Sequence, residues 1–339
     1  MTATPLDLTR EQILAHRRAV NGLEQRLPYA ASSLASAARA GLQDSMPRAA
    51  VLSIHARVAG AGHGAWDDPA LVQLWGPRFS AYAVAATDLP VFSLGRLPDD
   101  ARGRQTAEDL AEQLDAFLEG RRMTYGEAGR ALGMPPNRLR YAATTGRVLI
   151  RWDGARVPTI WTVPRPNVDP AAARLELARR YLEVFGPATT AGFARWAGIG
   201  RPDARAAFDA LEPVLTPART LGGEGWILTR DEEGFRVSGG PSTGARLLPS
   251  GDAFYLLWGA DRELLVPDAA RREQLWTSRV WPGAVLVDGE IRGTWRRAQG
   301  TVTIDLWEPL SDAARAAVEL EAARLPLPGL DAITVEWSA

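Results

Sequence analysis

The feature that most constrains the fold is a segment in which two short helices are followed by a β-hairpin. Thr124 and Glu127 have the spacing of a capping box, which predicts a helix start, and a second helix follows that ends at Gly146. The next residues alternate in polarity, Asp153–Gly154 predicts a tight turn, and residues 157–163 return as a strand. Two helices and a hairpin in this order predict a winged helix.

The same order of elements recurs in the next part of the chain. A long helix precedes a short one capped at Thr189 and Thr190. Residues 201–211 then form a candidate recognition helix, and a hairpin over residues 219–229 turns at Gly222–Gly223. Residues 9–58 hold a looser third version, in which helices over 9–27, 32–42 and 46–58 are expected. The sequence therefore predicts three tandem winged helices.

The C-terminal part has a different pattern. Asp288–Gly289 and Gln299–Gly300 predict two turns in a β-meander, and residues 311–325 form an amphipathic final helix. We therefore predict an α+β fold in four parts. They are an N-terminal winged-helix-like domain (1–119), a basic second winged helix (120–166), a third winged helix (167–240) and a C-terminal β-meander or barrel-like domain with the final helix (241–339).

Composition excludes several kinds of chemistry. The 339 residues contain no cysteine and no lysine, and their three histidines are scattered, so thiolate metal sites, a P-loop lysine and Schiff-base catalysis are excluded. We expect no cofactor and no bound metal. A hydrophobic fraction of 46%, with no long apolar run and no signal-peptide core, predicts a cytoplasmic globular protein, a monomer that does not contact a membrane.

Charge is segregated although the net charge is only −1. Residues 99–119 carry seven acids against two arginines, whereas residues 120–151 carry seven arginines against one acid. Residues 120–151 are therefore the most basic stretch of the chain, and the net charge of −1 argues only against indiscriminate binding of polyanions.

One polar triplet, in "GLQDSMPRAAVLSIHARV", stands directly before a predicted helix. Asp44 or Ser45 is a favourable N-cap for a helix over residues 46–58, and Pro47 is tolerated in its first turn. Capping by backbone amides lowers the pKa of a carboxylate, which makes it a poor base. The alternative interpretation is that Gln43, Asp44 and Ser45 form a catalytic edge. Both interpretations stay open on the residues alone.

Four segments, in order along residues 10–310, resemble the AlkZ/YcaQ type of winged-helix DNA glycosylase. They are "AGLQDSMPRAAVLSIHARV", "LVQLWGPRFSAYAVAATDLPVF", "RLLPSGDAFYLLWGADRELL" and "GAVLVDGEIRGTWRR". The resemblance implies three winged helices in a C-shaped arrangement with duplex DNA in the concave channel. It also implies the substrates of that family, N7-alkylated purines and the interstrand crosslinks made by bulky genotoxins, and a role in self-resistance to such compounds.

The catalytic motif departs from the family pattern of glutamine, a hydrophobic residue, then glutamine or aspartate. Gln43 matches the first position, Asp44 replaces the hydrophobic residue, and Ser45 stands at the third position. Tyr82 stands four residues after Arg78, where the family often has histidine.

The chemistry that this motif could perform is limited but sufficient for a cationic base. An N7-alkylated purine departs as a neutral base, so the site needs to orient water and to stabilise an oxocarbenium-like sugar. Gln43 would offer its carbonyl oxygen to the water, Asp44 would supply negative charge or act as base, and Ser45 would help to orient the water. Without lysine the enzyme would be a monofunctional glycosylase that hydrolyses the N-glycosidic bond. The rivals are a non-catalytic DNA-binding regulator or lesion sensor, and a winged-helix scaffold with an unrelated role.

Arginines are the candidate DNA contacts, and each has a structural alternative on a solvated face or in an ion pair. His55, on the motif helix, could face the channel or pack against Trp66, and packing is the interpretation that we favour. The candidate DNA-binding residues are Arg48, Arg57, Arg78, Arg121, Arg122, Arg138, Arg140, Arg147, Arg292, Arg296 and Arg297.

Overall fold

The computed structural model describes residues 4–44, 48–152, 157–237, 244–329 and 332–338, which form a mixed α and β structure. The α-helices of these ranges are α1 (Arg10–Val20), α2 (Ala31–Ala37), α3 (Ala49–Arg57), α4 (Leu89–Ser93), α5 (Ala101–Leu118), α6 (Tyr125–Ala131), α7 (Pro170–Phe185), α8 (Thr190–Ala197), α9 (Arg201–Leu211), α10 (Glu232–Arg236), α11 (Ala260–Leu265), α12 (Ala269–Leu275) and α13 (Asp312–Ala323). Within the described ranges, no helix is long and apolar enough to cross a membrane.

The strands form four sheets. They are β1 (Leu6–Asp7), β2 (Leu42–Gln43), β3 (Leu71–Trp75), β4 (Ala81–Ala85), β5 (Met123–Thr124), β6 (Val148–Arg151), β7 (Thr159–Thr162), β8 (Leu215–Thr220), β9 (Gly223–Leu228), β10 (Ala245–Leu248), β11 (Gly283–Val287), β12 (Glu290–Ala298), β13 (Thr301–Leu306) and β14 (Thr334–Trp337). The strand orders are β1-β8-β9, β2-β4-β3, β5-β7-β6 and β10-β11-β12-β13-β14.

The first sheet that matters for function is β2-β4-β3, because it carries the polar triplet. Strand β2 pairs antiparallel with β4, so Gln43 lies opposite Tyr82. Helix α3 follows but begins at Ala49, three residues later than the sequence predicts. Arg48 precedes it with a left-handed φ of 70°, a conformation that cannot continue a right-handed helix. Ser45 and the two residues after it lie outside the described ranges.

Residues 123–162 adopt the predicted order of two helices and a hairpin. The Thr124–Glu127 capping box is present at the start of α6, and Gly146 ends the second helix at a φ of 75°. That second helix, Pro136–Thr145, is a 3-10 helix rather than an α-helix. Strands β6 and β7 form the hairpin and β5 adds a third strand. The predicted turn at 153–154 lies outside the described residues.

Residues 170–228 repeat this order. Thr189 caps α8 by accepting a hydrogen bond from the backbone N–H of Gly192, and α9 has the bounds expected for the candidate recognition helix. The hairpin of β8 and β9 turns at residues 221–222, one residue earlier than predicted. Strand β1, from the N-terminus, extends this sheet by pairing parallel with β8.

The C-terminal meander is confirmed. Asp288 and Gly289 both have positive φ, 50° and 81°, as a tight hairpin turn between β11 and β12 requires. Ser311 caps α13 through its side chain, and α13 packs against β10. The largest buried apolar cluster contains residues from Leu14 to Ile291, whereas most buried apolar residues of 120–166 lie in a second cluster with α5.

Candidate active site

Gln43 is held at a strand edge by two donors. Its Oε1 accepts hydrogen bonds from Nη2 of Arg78 at 2.9 Å and from the hydroxyl of Tyr82 at 3.3 Å. Tyr82 can reach it because the two residues are directly paired between β2 and β4. The arginine is always a donor, so the amide oxygen must face it and the amide nitrogen must face away. Among the described residues the nitrogen has no hydrogen-bond partner, which leaves two N–H groups for a substrate or water.

Arg78 joins this sheet to helix α8. It lies in the turn between β3 and β4 with a φ of 54°, and its Nη1 donates to the carbonyl oxygen of Trp196 at 3.1 Å. A guanidinium at this end of α8 is favoured by the helix dipole. Gly198, which ends α8 at a φ of 70°, packs so closely that a Cβ there would lie 2.9 Å from the backbone nitrogen of Arg78. The guanidinium also lies over the ring of Trp258, at 4.8 Å from its centroid.

A second arginine reinforces the same junction. Arg96 is buried and donates to the carbonyl oxygens of Ala197 and Trp75, each at 2.9 Å. Burial lowers its pKa to about 9, so it stays protonated at neutral pH. Burial raises the pKa of Tyr82, so its hydroxyl keeps the proton that it donates to Gln43. The surroundings of Gln43 are therefore cationic.

Asp44 lies on the opposite side of the strand from Gln43, as successive residues of a strand must. Its carboxylate is fully buried, and it accepts from the backbone N–H of Ala50 at 3.1 Å and from Nε2 of Gln73 at 3.0 Å. Gln73 in turn accepts from the backbone N–H of Trp152 at 2.6 Å. Asp44 is not the N-cap that the sequence predicts, because the N-cap of α3 is Arg48, which makes no side-chain capping bond. The carboxylate of Asp44 nevertheless accepts from the first turn of α3, from a position four residues before that N-cap.

The expected effect of capping on the acidity of Asp44 is wrong. Burial raises its pKa to about 7, although the backbone amides of Ala50 and Ala49, Arg48 and Gln73 all act to lower it. The cost of removing a carboxylate from water outweighs those neutral donors and one cation. Asp44 is therefore divided between its neutral and ionised forms near neutral pH.

A cleft of about 340 Å³ opens over Gln43. Its wall includes Gln43, Arg78, Ser80, Trp258, Arg279 and Trp281, but Asp44 is not part of it. Of the predicted catalytic residues, the structure brings Gln43 to this cleft and places Asp44 behind it, and Ser45 lies outside the described residues. Burial at position 44 also gives the physical reason why a motif would carry a hydrophobic residue there.

Arg57 is not available to DNA, and its prediction as a DNA contact is corrected. Its side chain is 1% exposed and is bound by Asp252, with Nη1 and Nη2 at 2.7 and 2.8 Å from the two carboxylate oxygens. This buried ion pair holds α3 against residues 249–252. His55, on the same helix, is also buried, as expected for a packed residue. Its ring nitrogen Nδ1 lies within hydrogen-bonding distance of the carbonyl oxygen of Ala61.

The other candidate arginines are spread over the molecule, and Arg78 alone among them lines the cleft of Gln43. Arg140 is half-buried against Trp75 and Tyr125, Arg147 pairs with Asp115 at 2.8 Å, and Arg292 lies 3.6 Å from Glu308. Arg48 is half-buried. The exposed members of the set are Arg121, Arg122, Arg138, Arg296 and Arg297. Their contact with DNA stays a prediction.

Sequence reasoning missed Arg279, Trp258 and Trp281. Trp258 lies within one of the segments that resemble the glycosylase family, but Arg279 lies in an irregular loop with no periodicity to mark it. No cluster of three or more candidate metal ligands occurs in the described part of the chain.

Guanidinium groups and indole rings around one cleft are the combination with which proteins bind nucleic-acid strands. The fold and the cleft therefore define a nucleic-acid-binding protein whose central polar side chain is a glutamine amide.

Comparison with known proteins narrows this class. The family described as DNA glycosylase AlkZ-like matches residues 37–326, and the chain belongs to that family. An interstrand DNA cross-link repair glycosylase of Streptomyces sahachiroi is 30% identical over 167 residues, which are 46% of this chain. The matched segment spans 43% of that relative's length. The solved structure of the Streptomyces sahachiroi DNA glycosylase AlkZ has the same fold, with a TM-score of 0.77 and 20% identity over 100% of both chains.

Proposed function

We propose that this protein is a monofunctional DNA glycosylase that hydrolyses the N-glycosidic bond of bulky N7-alkylguanine in duplex DNA. The observation that carries the proposal is the placement of Gln43, which two donors orient at the mouth of an arginine- and tryptophan-lined cleft, in a chain of the DNA glycosylase AlkZ-like family. The two helix–helix–hairpin units and the N-terminal part would act as three winged helices around a C-shaped channel, and the protein would bind DNA as a monomer.

The orientation of the amide changes the expected role of Gln43. Its carbonyl oxygen already accepts from Arg78 and Tyr82, so the side chain offers N–H groups rather than an acceptor. An N–H group can hold a water molecule through one lone pair of the water oxygen. The second lone pair then attacks the anomeric carbon as the bond to the base breaks, and the water's proton leaves to solvent.

The side chains around the cleft favour a base that is already cationic. The lining groups are an amide, hydroxyls, guanidiniums and indoles, none of which can protonate a leaving base near neutral pH. An N7-alkylguanine carries a positive charge and departs as a neutral base without a proton. The cleft therefore supports excision of an N7-alkylated purine better than excision of an ordinary base.

Asp44 would act without touching the substrate. Its ionised form places one negative charge behind Gln43, where it opposes the positive field of Arg78 and Arg96. Ser45 keeps its proposed role of orienting the water, and a Ser45→Ala variant tests it.

The direct test is excision from a defined duplex. Incubation with an oligonucleotide that carries one bulky N7-alkylguanine is expected to leave an abasic site, which alkali converts into a strand break. Untreated strands should stay intact, because a monofunctional enzyme does not cut the backbone. An adduct that survives while the DNA is bound would contradict the proposal.

One observation favours a non-catalytic DNA-binding protein as the second candidate. The carbonyl oxygen of Gln43 is occupied and Asp44 is buried, so the cleft presents cations and donors, as a phosphate-binding surface does. Binding to alkylated duplex with no release of the base would support this candidate.

A further inference from the structure

The cleft of Gln43 continues into a larger one. The second cleft, of about 680 Å³, lies between α1, α7, α8, the β8–β9 turn and residues 256–264. Leu256 and Trp258 line both clefts, so the two clefts are adjacent, and we name them together the joined groove. We propose that the joined groove holds the DNA strand that carries the target base, and that Arg195, Arg201 and Arg279 bind its phosphates. This inference rests on the proposed function only in that the protein binds DNA.

The charges along the joined groove suit a phosphate backbone. Five arginines line it, against two acids. Both acids already have arginine partners, since Asp261 lies 2.7 Å from Arg17 and Glu224 lies 3.5 Å from Arg219. Positive charge is thus concentrated here although the whole chain has a net charge of −1.

Arg195, Arg201 and Arg279 are free to bind an anion. All three are exposed, and within the described ranges none of them forms an ion pair with an acid. One other cation, Arg262, lies close to Arg195, because the charge of Arg195 contributes to the lowered pKa of Arg262, after the larger effect of burial. Neighbouring like charges without counter-charges repel each other, and a bound phosphate would relieve that repulsion.

The floor of the larger cleft also has an unmet donor. Arg17 is 2% exposed, and its Nη1 has no hydrogen-bond partner among the described residues. Its other nitrogens bind the carbonyl oxygens of Gly186 and Phe185 and the carboxylate of Asp261. A buried donor of this kind is costly unless an oxygen atom meets it.

Helix α8 connects these groups to Gln43. Arg195 precedes Trp196, whose carbonyl oxygen binds Arg78, and Arg78 binds Gln43 through its other terminal nitrogen. A strand held at Arg195 would therefore lie at the same end of α8 as Arg78, the residue that orients Gln43. Trp258 lies between the two clefts and offers a ring against which bases can stack.

The test compares two triple variants with the same change in net charge. One replaces Arg195, Arg201 and Arg279 by glutamine, and the control replaces Arg102, Arg236 and Arg324, which are exposed arginines outside the joined groove. Binding of an unmodified duplex is measured as a function of salt concentration. Loss of three phosphate contacts should reduce the slope of log K against log salt by about 2.7, since each contact contributes about 0.9. The control should keep the slope of the unmodified protein.

Two outcomes would overturn the proposal. In the first, the groove variant and the control have the same slope, which would place the DNA backbone elsewhere. In the second, the groove variant keeps its affinity for unmodified duplex but loses excision of bulky adducts only, which would make the groove a pocket for the adduct. Thermal unfolding of both variants verifies that they are folded. The binding measurement does not depend on excision. It therefore tests the joined groove even if the protein proves not to be a glycosylase.

Discussion

Both carboxylate oxygens of Asp44 accept hydrogen bonds from neighbouring N–H groups. One carboxylate oxygen meets the backbone N–H of Ala50 and the other meets the amide nitrogen of Gln73. Asparagine would place an N–H group against one of these donors. Gln73 cannot rotate to compensate, since its oxygen binds the backbone N–H of Trp152. The residue was predicted as a catalytic group, but its contacts make it part of the support behind Gln43.

Burial of Asp44 predicts a specific dependence of stability on pH. Because its pKa rises from 3.8 to about 7 on folding, the folded protein binds this proton more tightly than the unfolded chain does. The contribution of Asp44 to the unfolding free energy is therefore fully present below pH 3.8, and it is lost as the pH rises towards and through 7. The unfolding free energy of the unmodified protein, relative to Asp44→Asn, should fall by about 3 kcal/mol between pH 5 and 8. Urea unfolding of both proteins at pH 5 and pH 8 measures this difference. If the unmodified protein and Asp44→Asn had the same pH dependence, the raised pKa would be contradicted.

The two donors to Gln43 should differ in their effects on excision. Arg78 makes the shorter, charge-assisted hydrogen bond and Tyr82 the longer, neutral one. Arg78→Met should slow single-turnover excision by about 10- to 100-fold, and Tyr82→Phe by less than about 10-fold. Saturating protein keeps weaker DNA binding out of the comparison. A larger loss in Tyr82→Phe than in Arg78→Met would show that the arginine does not orient the amide.

At the scale of elements, the sequence predicts caps and turns better than it predicts where individual side chains lie. Caps at Thr124 and Thr189 and the turn at Asp288–Gly289 depend on residues within one turn of chain, and the structure contains all three. The side of the strand on which Asp44 lies depends on pairing between β2 and β4, which the residues themselves do not specify. From sequence alone Arg57 is indistinguishable from a solvated residue on a helix, because its partner Asp252 is distant in sequence.

The buried pair of Arg57 and Asp252 ties α3 to the segment before the cleft-lining residues 256–258. Arg57→Met should reduce the unfolding free energy by roughly 3–5 kcal/mol, because it leaves the Asp252 carboxylate buried without a counter-charge. Replacing both residues, by methionine and leucine, should recover much of that loss. Chemical denaturation of the three proteins measures the effect. Equal stability of Arg57→Met and the unmodified protein would mean that Asp252 is solvated.

At the scale of the whole molecule, the site is assembled from parts that are far apart in sequence. Gln43 comes from β2, Arg78 from the β3–β4 turn, Trp196 from α8, and Trp258 and Arg279 from the C-terminal third. The mixed α and β architecture could be predicted because residues 120–166 and 167–240 each have their own helix and hairpin signals and the C-terminal part has its own turn signals. The cleft could not, since no local pattern shows which loops meet. Arg279 is the clearest case, because nothing in the sequence distinguishes it from any other exposed loop arginine.

The central claim is that the amide of Gln43 carries out the chemistry on DNA. The measurement is single-turnover release of a bulky N7-alkylguanine from duplex DNA by the unmodified protein, by Gln43→Ala and by Gln113→Ala, whose glutamine is exposed on α5. Loss of one catalytic hydrogen-bonding group should slow release by about 100-fold in Gln43→Ala, whereas Gln113→Ala should match the unmodified protein. Release by Gln43→Ala at the rate of the unmodified protein would contradict the claim.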